Sequence, residues 1–550
     1  EDCNDLDRDN FPGNTEVCDG ADNDCDGSLG PDEIDDDGDG VTECDGDCDD
    51  NDDLTYPGAI EQCDGLDNDC DLSVPAEEVT DVDGDGVVEC ADCDDDDAGL
   101  AEDECVLAMA SARIVGQSAG VSFGYSIASI EDSDGDGYDD LLVGAPTAGD
   151  GSTGVAYLFA QPVTGLLDVD DAVASWTGEA AGDAAGVSVS SAGDVDDDGT
   201  VDLLIGATNH GNGVAYLING PPNGHVSLST ADARVIGQTN DASVGASVAG
   251  AGDVDGDGYD DVIIGAHHTR QGGVDVGAAY VLRGPLSGDI NLDNDAGQDD
   301  LSADDAVFWG TSFEDRAGTC VAGGLDFNGD GYDDAVIGAM DDDVDSKTNN
   351  GAAYVVYGPM SGEHSLHQVY SDGIGVRYWG EASSDHAAQH VGVAGDVDGD
   401  NYDDLLVGAQ QRNGLAGSVY LVLGSSTPTE SSLGAADIRL DGGAGGWAGT
   451  SSDGGDGSGY LVVGSPRVNG VNDGAVYLVS WADILPAGTY SLPLTAAHTI
   501  VGTNNTTSLG LVVAHLGDAD GDGIPDYAMS GYQEDSDTGA VYQVVGADLP

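Results

Sequence analysis

Six times between residues 132 and 526 the chain repeats one acidic run, Asp-x-[Asp/Asn]-x-Asp-[Gly/Asn]-x-x-Asp. The first run places carboxylates at Asp132, Asp134, Asp136 and Asp140, and the second at Asp194, Asp196, Asp198 and Asp202. The third has Asp253, Asp255, Asp257 and Asp261, and the fourth Asp326, Asn328, Asp330 and Asp334. The fifth has Asp396, Asp398, Asp400 and Asp404, and the last Asp518, Asp520, Asp522 and Asp526. Side-chain oxygens at alternate residues of a short loop, closed by one further carboxylate, form a shell for a hard divalent cation such as Ca2+. Position 7 would add a backbone carbonyl, from Tyr138, Thr200, Tyr259, Tyr332, Tyr402 and Ile524. Position 6 is Gly in five runs and Asn401 in one, and both residue types tolerate a left-handed turn. Four carboxylates around one point make six repulsive pairs, each worth about 4 kcal/mol at ~4 Å and an effective dielectric of ~20. A sum on the order of tens of kcal/mol exceeds the ~5–15 kcal/mol stability of a domain, so without a cation the loops must swell or take up protons. The aligned stretch 452–460 keeps Asp456 but loses most of the ligands, and no ion is expected there.

A second acidic set occupies residues 1–105, which hold 42 Asp and Glu, a single basic residue, Arg8, and ten of the eleven cysteines. CDGADNDCD (18–26) recurs as CDGLDNDCD (63–71), and DDDGDGVTEC (35–44) as DVDGDGVVEC (81–90). Asp22, Asp24 and Asp26 stand at positions 1, 3 and 5, Gly27 at 6 and Glu33 at 12, the spacing of an EF-hand calcium loop. The second copy has Asp67, Asp69, Asp71 and Glu78, with Leu72 where Gly is wanted. Asp35, Asp37, Asp39 and Glu43, matched by Asp81, Asp83, Asp85 and Glu89, form two further sets. A solvated acidic spacer would not keep both the alternation and the cysteine register. Dense, even-numbered cysteines in a segment poor in large apolar residues read as a disulfide framework, which implies an oxidising compartment. Zinc is the rival for Cys90-x2-Cys93 and Cys44-x3-Cys48, but the crowded aspartates suit a harder cation.

The elements that must position the later loops repeat with them. Each unit carries a short apolar run ending in a small residue: LLVGA (141–145), LLIGA (203–207), VIIGA (262–266), AVIGA (335–339), LLVGA (405–409), LVVGS (461–465) and YAMSG (527–531). A Tyr-bearing strand follows, with Tyr157, Tyr216, Tyr280, Tyr354, Tyr420, Tyr477 and Tyr542 in register. Four short strands per unit, seven units and no helical period predict an all-β, seven-bladed β-propeller, in which each blade buries its faces on its neighbours. Outer-strand text such as SWTG (175–178) precedes each unit, but none follows AVYQVVG (540–546). Arg113–Gly116 is therefore expected to complete the last blade. The organisation read from the chain is an acidic Cys-rich segment 1–105, a linker 106–112 and the propeller 113–550.

The whole chain of 550 residues has 108 Asp and Glu against 11 Lys and Arg, a net charge of −97. Such a surface repels phosphate backbones and anionic membranes, so no nucleic-acid partner is expected. No apolar stretch approaches the length of a transmembrane helix. The chain opens at Glu1 without a signal-like segment, as expected of a processed product or fragment whose export signal is gone. HExxH, GxSxG and P-loop motifs are absent, and Cys320 reads as a packing thiol rather than a nucleophile.

Residues 1–105 resemble the metal-binding motif of the MopE type and thrombospondin type 3 calcium repeats. Copper is associated with the MopE family, but this segment has no His, Met or Trp, and its oxygen ligands point to Ca2+. Residues 113–546 resemble the FG-GAP repeats of the integrin α-subunit propeller, with Phe123-Gly124 and Gly144-Ala145-Pro146 matching the name motif in the first unit. Most other units replace Phe-Gly by Ala-Gly or Val-Gly. The resemblance implies a seven-bladed ring with calcium in hairpin loops on one face. The expected function is that of a secreted or cell-surface calcium-binding protein acting as an adhesion module for an extracellular protein or glycan. The alternatives are a filament or surface-layer subunit that docks onto neighbouring copies of itself, and an extracellular hydrolase or lyase.

Overall fold

The structure, a computed structural model, describes residues 110–118, 120–220, 224–237, 243–292, 301–455, 457, 459–467, 474–485, 487–502, 508–532 and 538–546. In the N-terminal segment it describes 12, 14–18, 22–29, 34, 41, 42, 44, 48, 55, 57 and 70. The chain divides into two compact units, Glu1–Cys105 and Val106–Pro550.

Within the first unit, Cys18 bonds Cys44 and Cys48 bonds Cys70. Cys25 is also disulfide-bonded. Cys44 and Cys48 are thus cross-linked to different partners, which removes them as a zinc pair.

The second unit is a ring of seven antiparallel sheets. Blade 1 runs from an inner strand Ser126–Ile130 through Asp140–Ala145 and Val155–Phe159 to an outer strand Ala174–Thr177. Blades 2 to 6 repeat this order, with inner strands Ala185–Gly193, Ser247–Gly252, Ala317–Leu325, His390–Gly395 and Ser451–Asp453. Blade 7 takes Val513–His515, Tyr527–Gly531 and Ala540–Val544 from the end of the chain. Its outer strand is Ala112–Val115, paired antiparallel with residues 540–543. The strand expected from Arg113 closes the ring, beginning one residue earlier.

The second strand of blades 1 to 5 and of blade 7 is buried along its whole length, because each face lies against a neighbouring blade. Its continuous apolar text follows from that double cover. Each hydrophobic cluster accordingly spans two blades: Ile263 and Val281 of blade 3 pack with Ile337 and Tyr354 of blade 4. The Gly of the apolar run, kept in six units and replaced by Ser530 in the seventh, marks the closest approach. A Cβ at Gly144, Gly206 or Gly265 would collide with the carbonyl oxygen of Gly186, Gly245 or Gly318 in the next blade. Farther from the axis the gap widens, and Trp176 and Trp309 fill it from the outer strands.

One feature departs from the four-strand expectation. A short strand in the connection after each third strand crosses back to the preceding blade and pairs in parallel with its outer strand. Gly165–Asp168 pairs with Ala112–Val115, and Gly224–Ser227 with Ala174–Thr177. Gly288–Leu292, Gly362–Ser365, Ser431–Ser432 and Gly488–Ser491 continue the pattern. Among the described residues, only blade 6 has a four-stranded sheet.

Closure by the first strand gives a direct test. Ile114 is fully buried against blades 7 and 1, whereas Leu166 on the adjoining parallel strand is 72% exposed. Ile114→Ala should cost about 2–5 kcal/mol in denaturant unfolding. Leu166→Ala should stay within about 0.5 kcal/mol. Equal effects would show that the first strand does not seal the ring.

Candidate metal centres

Each acidic loop joins an inner strand to the second strand of its blade, so all six lie on one face of the ring. In all six loops the position-1 carboxylate accepts the amide of position 6 at 2.8–3.0 Å. The position-5 carboxylate accepts the amide of position 7 at 2.7–3.1 Å. These bonds curl the loop inward. They require left-handed residues at position 6, where the glycines have φ of 85–98° and Asn401 has 68°, and also at position 4, where even Asp197 adopts 57°.

Position 9 plays a different part. Asp140, Asp202, Asp261, Asp334, Asp404 and Asp526 are at most 1% exposed. Each accepts an amide at the far end of the third strand at 2.8–3.0 Å: Gln161, Gly220, Gly284, Gly358, Gly424 and Gly546. In five loops the other carboxylate oxygen accepts the position-2 amide at 3.0–3.2 Å. Burial dominates their acidity. It pushes Asp202 up to about 6, Asp261, Asp404 and Asp526 to about 7, and Asp334 to about 8, with neighbouring loop acids adding to the rise and the amides opposing it. Asp140 is raised for the same reason.

The oxygens converge. In each of the groups Asp132–Asp134–Asp136, Asp194–Asp196–Asp202 and Asp253–Asp255–Asp261, one oxygen per residue lies within 4.8 Å of the others. Asp196 Oδ1 and Asn328 Oδ1 are buried with no hydrogen-bond partner. Both belong to ligand position 3, and buried acceptors without donors suit a hard cation. The opposite oxygen of position 3 is held from outside in two loops: Asn219 Nδ2 donates to Asp196, and the Arg283 guanidinium pairs with Asp255. At position 7 it is the amide, donated to the position-5 carboxylate, that is engaged in all six loops. In the sixth unit, Asp456 lies outside the described residues.

In the N-terminal unit, Asp22 takes the amides of Asp26 and Gly27 at 3.1 and 2.9 Å, the same curl as in the propeller loops. Its cluster is completed by Glu16, which the sequence reading missed. Glu16, Asp22 and Asp24 converge within 4.8 Å, and the Glu16 carboxylate accepts the amides of Asn23 and Asp24. Glu33, Asp67, Asp69, Asp71, Glu78, Asp35, Asp37, Asp39, Glu43, Asp81, Asp83, Asp85 and Glu89 lie outside the described residues.

Two other groupings were not legible beforehand. The inner strands of all seven blades line an axial cavity of about 640 Å3. There Cys320 accepts the Val391 amide at 3.4 Å, and a hydrogen bond from His390 helps to hold its thiol below the usual range against the effect of burial. The second grouping is Asp315, Asp342 and His367. Its atoms already bond one another and their neighbours. His367 Nε2 lies 2.8 Å from Asp342 Oδ1, Tyr354 donates to Asp342 Oδ2 at 2.5 Å, and Thr311 serves Asp315.

The Asp342 hydrogen bond raises His367 above its ordinary 6.5, with burial and Arg377 opposing and the Asp342 and Asp315 charges adding. A raised histidine contributes stability that is complete below the unfolded value and is lost as pH rises through the folded one. His367→Gln should therefore lower the melting temperature most at about pH 5.5, in saturating Ca2+, and the gap to the parent should close as pH climbs above about 6.5. A gap independent of pH would show that this imidazole is uncharged in the fold.

Comparison with known proteins places these loops. The FG-GAP repeat model matches residues 123–159, 244–282, 317–356 and 389–422, the loop-bearing parts of blades 1, 3, 4 and 5. The model described as "Putative metal-binding motif", of the MopE type, matches residues 2–29 and 47–74. Integrin alpha-PS2 of Drosophila melanogaster is 32% identical over 29% of this chain, and integrin alpha pat-2 of Caenorhabditis briggsae 31% over 39%. A phosphatidylinositol-glycan-specific phospholipase D of Bos taurus is 30% identical over 28%. The chain covers only 12, 18 and 17% of the length of these three curated relatives. The repeated loops, the ring that aligns them and the paired N-terminal matches agree: this chain folds into a seven-bladed β-propeller that carries FG-GAP repeats in four of its blades and is similar to part of the integrin alpha chains, with a MopE-type metal-binding motif at its N-terminal end.

Proposed function

We propose that this is a calcium-binding adhesion module, secreted or displayed at the cell surface, in which Ca2+ is structural and the ring presents a rigid surface to an extracellular protein or glycan. The observation that carries the reading is the pair of buried, unpartnered oxygens at Asp196 and Asn328, each at ligand position 3 of an in-register loop. Asp132, Asp253, Asp396, Asp518 and their loop partners would hold the ion in the remaining loops, and Glu16, Asp22 and Asp24 in the N-terminal unit. The ion would supply the positive charge that the buried position-9 carboxylates lack. The disulfides support an oxidising, extracellular location. The likeness to integrin alpha chains supports a binding rather than a catalytic role. Among the described residues no helix is long and apolar enough to cross a membrane.

Ion counting and melting test the calcium part together. Native mass spectrometry of the intact chain should show at least one ion for each of the six propeller loops. A millimolar excess of Ca2+ over EDTA should raise the melting temperature by more than about 10 °C, since several ions each add a few kcal/mol by mass action. Mg2+ should do less, because it prefers a smaller octahedral shell. An unchanged melt would remove the structural role of the ion. For the binding role, the immobilised chain should retain extracellular proteins or glycans in Ca2+ and release them in EDTA. Turnover of a hydrolase or lyase substrate without such retention would favour the enzymatic alternative.

A further inference from the structure

The repeated pattern leaves position 8 of the loops unspecified, and it is Asp in the loops of blades 1, 3, 4 and 5. The structure gives it a partner in another blade. Asp260 of blade 3 accepts the backbone N–H of Asp194, position 1 of the blade 2 loop, at 2.7 Å. Asp333 of blade 4 accepts the N–H of Asp253 in blade 3 at 2.8 Å, and Asp403 of blade 5 that of Asp326 in blade 4 at 2.8 Å. Two of the junctions are reciprocal: the amides of Asp260 and Asp403 donate back to the carbonyls of Asp194 and Asp326 at 3.2 Å.

We propose that Asp260, Asp333 and Asp403 are positioning residues for the cation loop of the preceding blade. The inference rests on the calcium reading above and adds the determinant of affinity. Position 1 is the residue on which each loop is wound, since its carboxylate takes the position-6 amide and, in five of the six loops, the position-5 amide as well. Pinning its own N–H from outside fixes the plane of the entering peptide, and with it the direction in which that carboxylate leaves the backbone. The contact is built for: Gly193 and Gly252, which precede position 1, have φ of 75 and 68°, and a Cβ on either would collide with the Asp260 or Asp333 carboxylate. The next side chain back reinforces it. Tyr332 and Tyr402, at position 7, lie over Gly256 and Gly329 at position 4 of the preceding loop. The linkage runs in one direction, each blade reaching back to the one before it. It is interrupted at blade 2, where position 8 is Val201, and at the seam of the ring Asp139 and Tyr138 of blade 1 again lie against Gly517 and Gly521 of the blade 7 loop.

Calorimetric Ca2+ titration of the intact chain, with ions counted by native mass spectrometry, tests this. Asp333→Ala should weaken one ion by roughly ten- to a hundredfold and leave the rest unchanged. Asp333→Asn, whose amide oxygen can still accept the Asp253 N–H, should keep most of the affinity. The rival explanation is a local effect on Asp334, in the same loop as Asp333. Asp257→Ala, which removes a ligand from the blade 3 loop, separates the two: in that background Asp333→Ala should weaken no further ion. Loss that persists there, or no loss in the single variant, overturns the proposal. So does a variant whose melt falls in EDTA while every ion keeps its affinity, which would mark a brace of purely structural effect. If Asp333→Ala does not fold, Asp403→Ala with Asp330→Ala poses the same question one blade on. Parent protein that binds no ion in these loops defeats the calcium reading itself; bound ions indifferent to the variants defeat only the positioning role.

Discussion

Like charges brought together at the ends of packed strands are the constraint around which this molecule is built. Position 9 of every loop has to be buried, because it joins the loop to the far end of the third strand through an amide. Burying a carboxylate beside other carboxylates is tolerable only with donors, a proton or a cation. The backbone supplies donors, and burial still raises Asp202, Asp261, Asp334, Asp404 and Asp526 above the ordinary carboxylate range.

The remainder of the ring makes that junction rigid. Fully buried second strands, glycines that admit a neighbouring carbonyl and tryptophans in the wider periphery leave the inner strands little freedom. Cations are scarce in the sequence, and those of the propeller are spent within it. Arg412 and Arg439 share Glu381 and Asp441, Arg377 pairs with Glu430, and Arg283 enters an acidic loop from outside. Little positive charge is left to answer the acidic surface.

Much of this was legible in the residues. Alternating acids in a fixed frame announced the repeated loop, because the carboxylates at positions 1, 5 and 9 accept the amides that wind it. The missing outer strand at the end of the chain announced the closure by Ala112–Val115. Other features left no trace in pattern. Five of the six fifth strands begin at glycine and most of their side chains are exposed or half-buried, so they have no apolar period to read. Asp-Asp at positions 8 and 9 looks like one ligand written twice, yet the two carboxylates face different blades. Glu16 and the Cys320–His390 neighbours join residues whose proximity only the fold creates.

The parallel strand Gly165–Asp168 has a mechanical consequence. The first strand of the propeller would otherwise be an outer edge, held on one side only and easily peeled. Instead Ala112–Val115 lies between residues 540–543 and Gly165–Asp168, with ladders on both flanks. Tension applied through the preceding chain must shear two sets of hydrogen bonds at once, and it is shared between the last blade and the first. The seam of the ring is thereby a place where a pulled tether would hold.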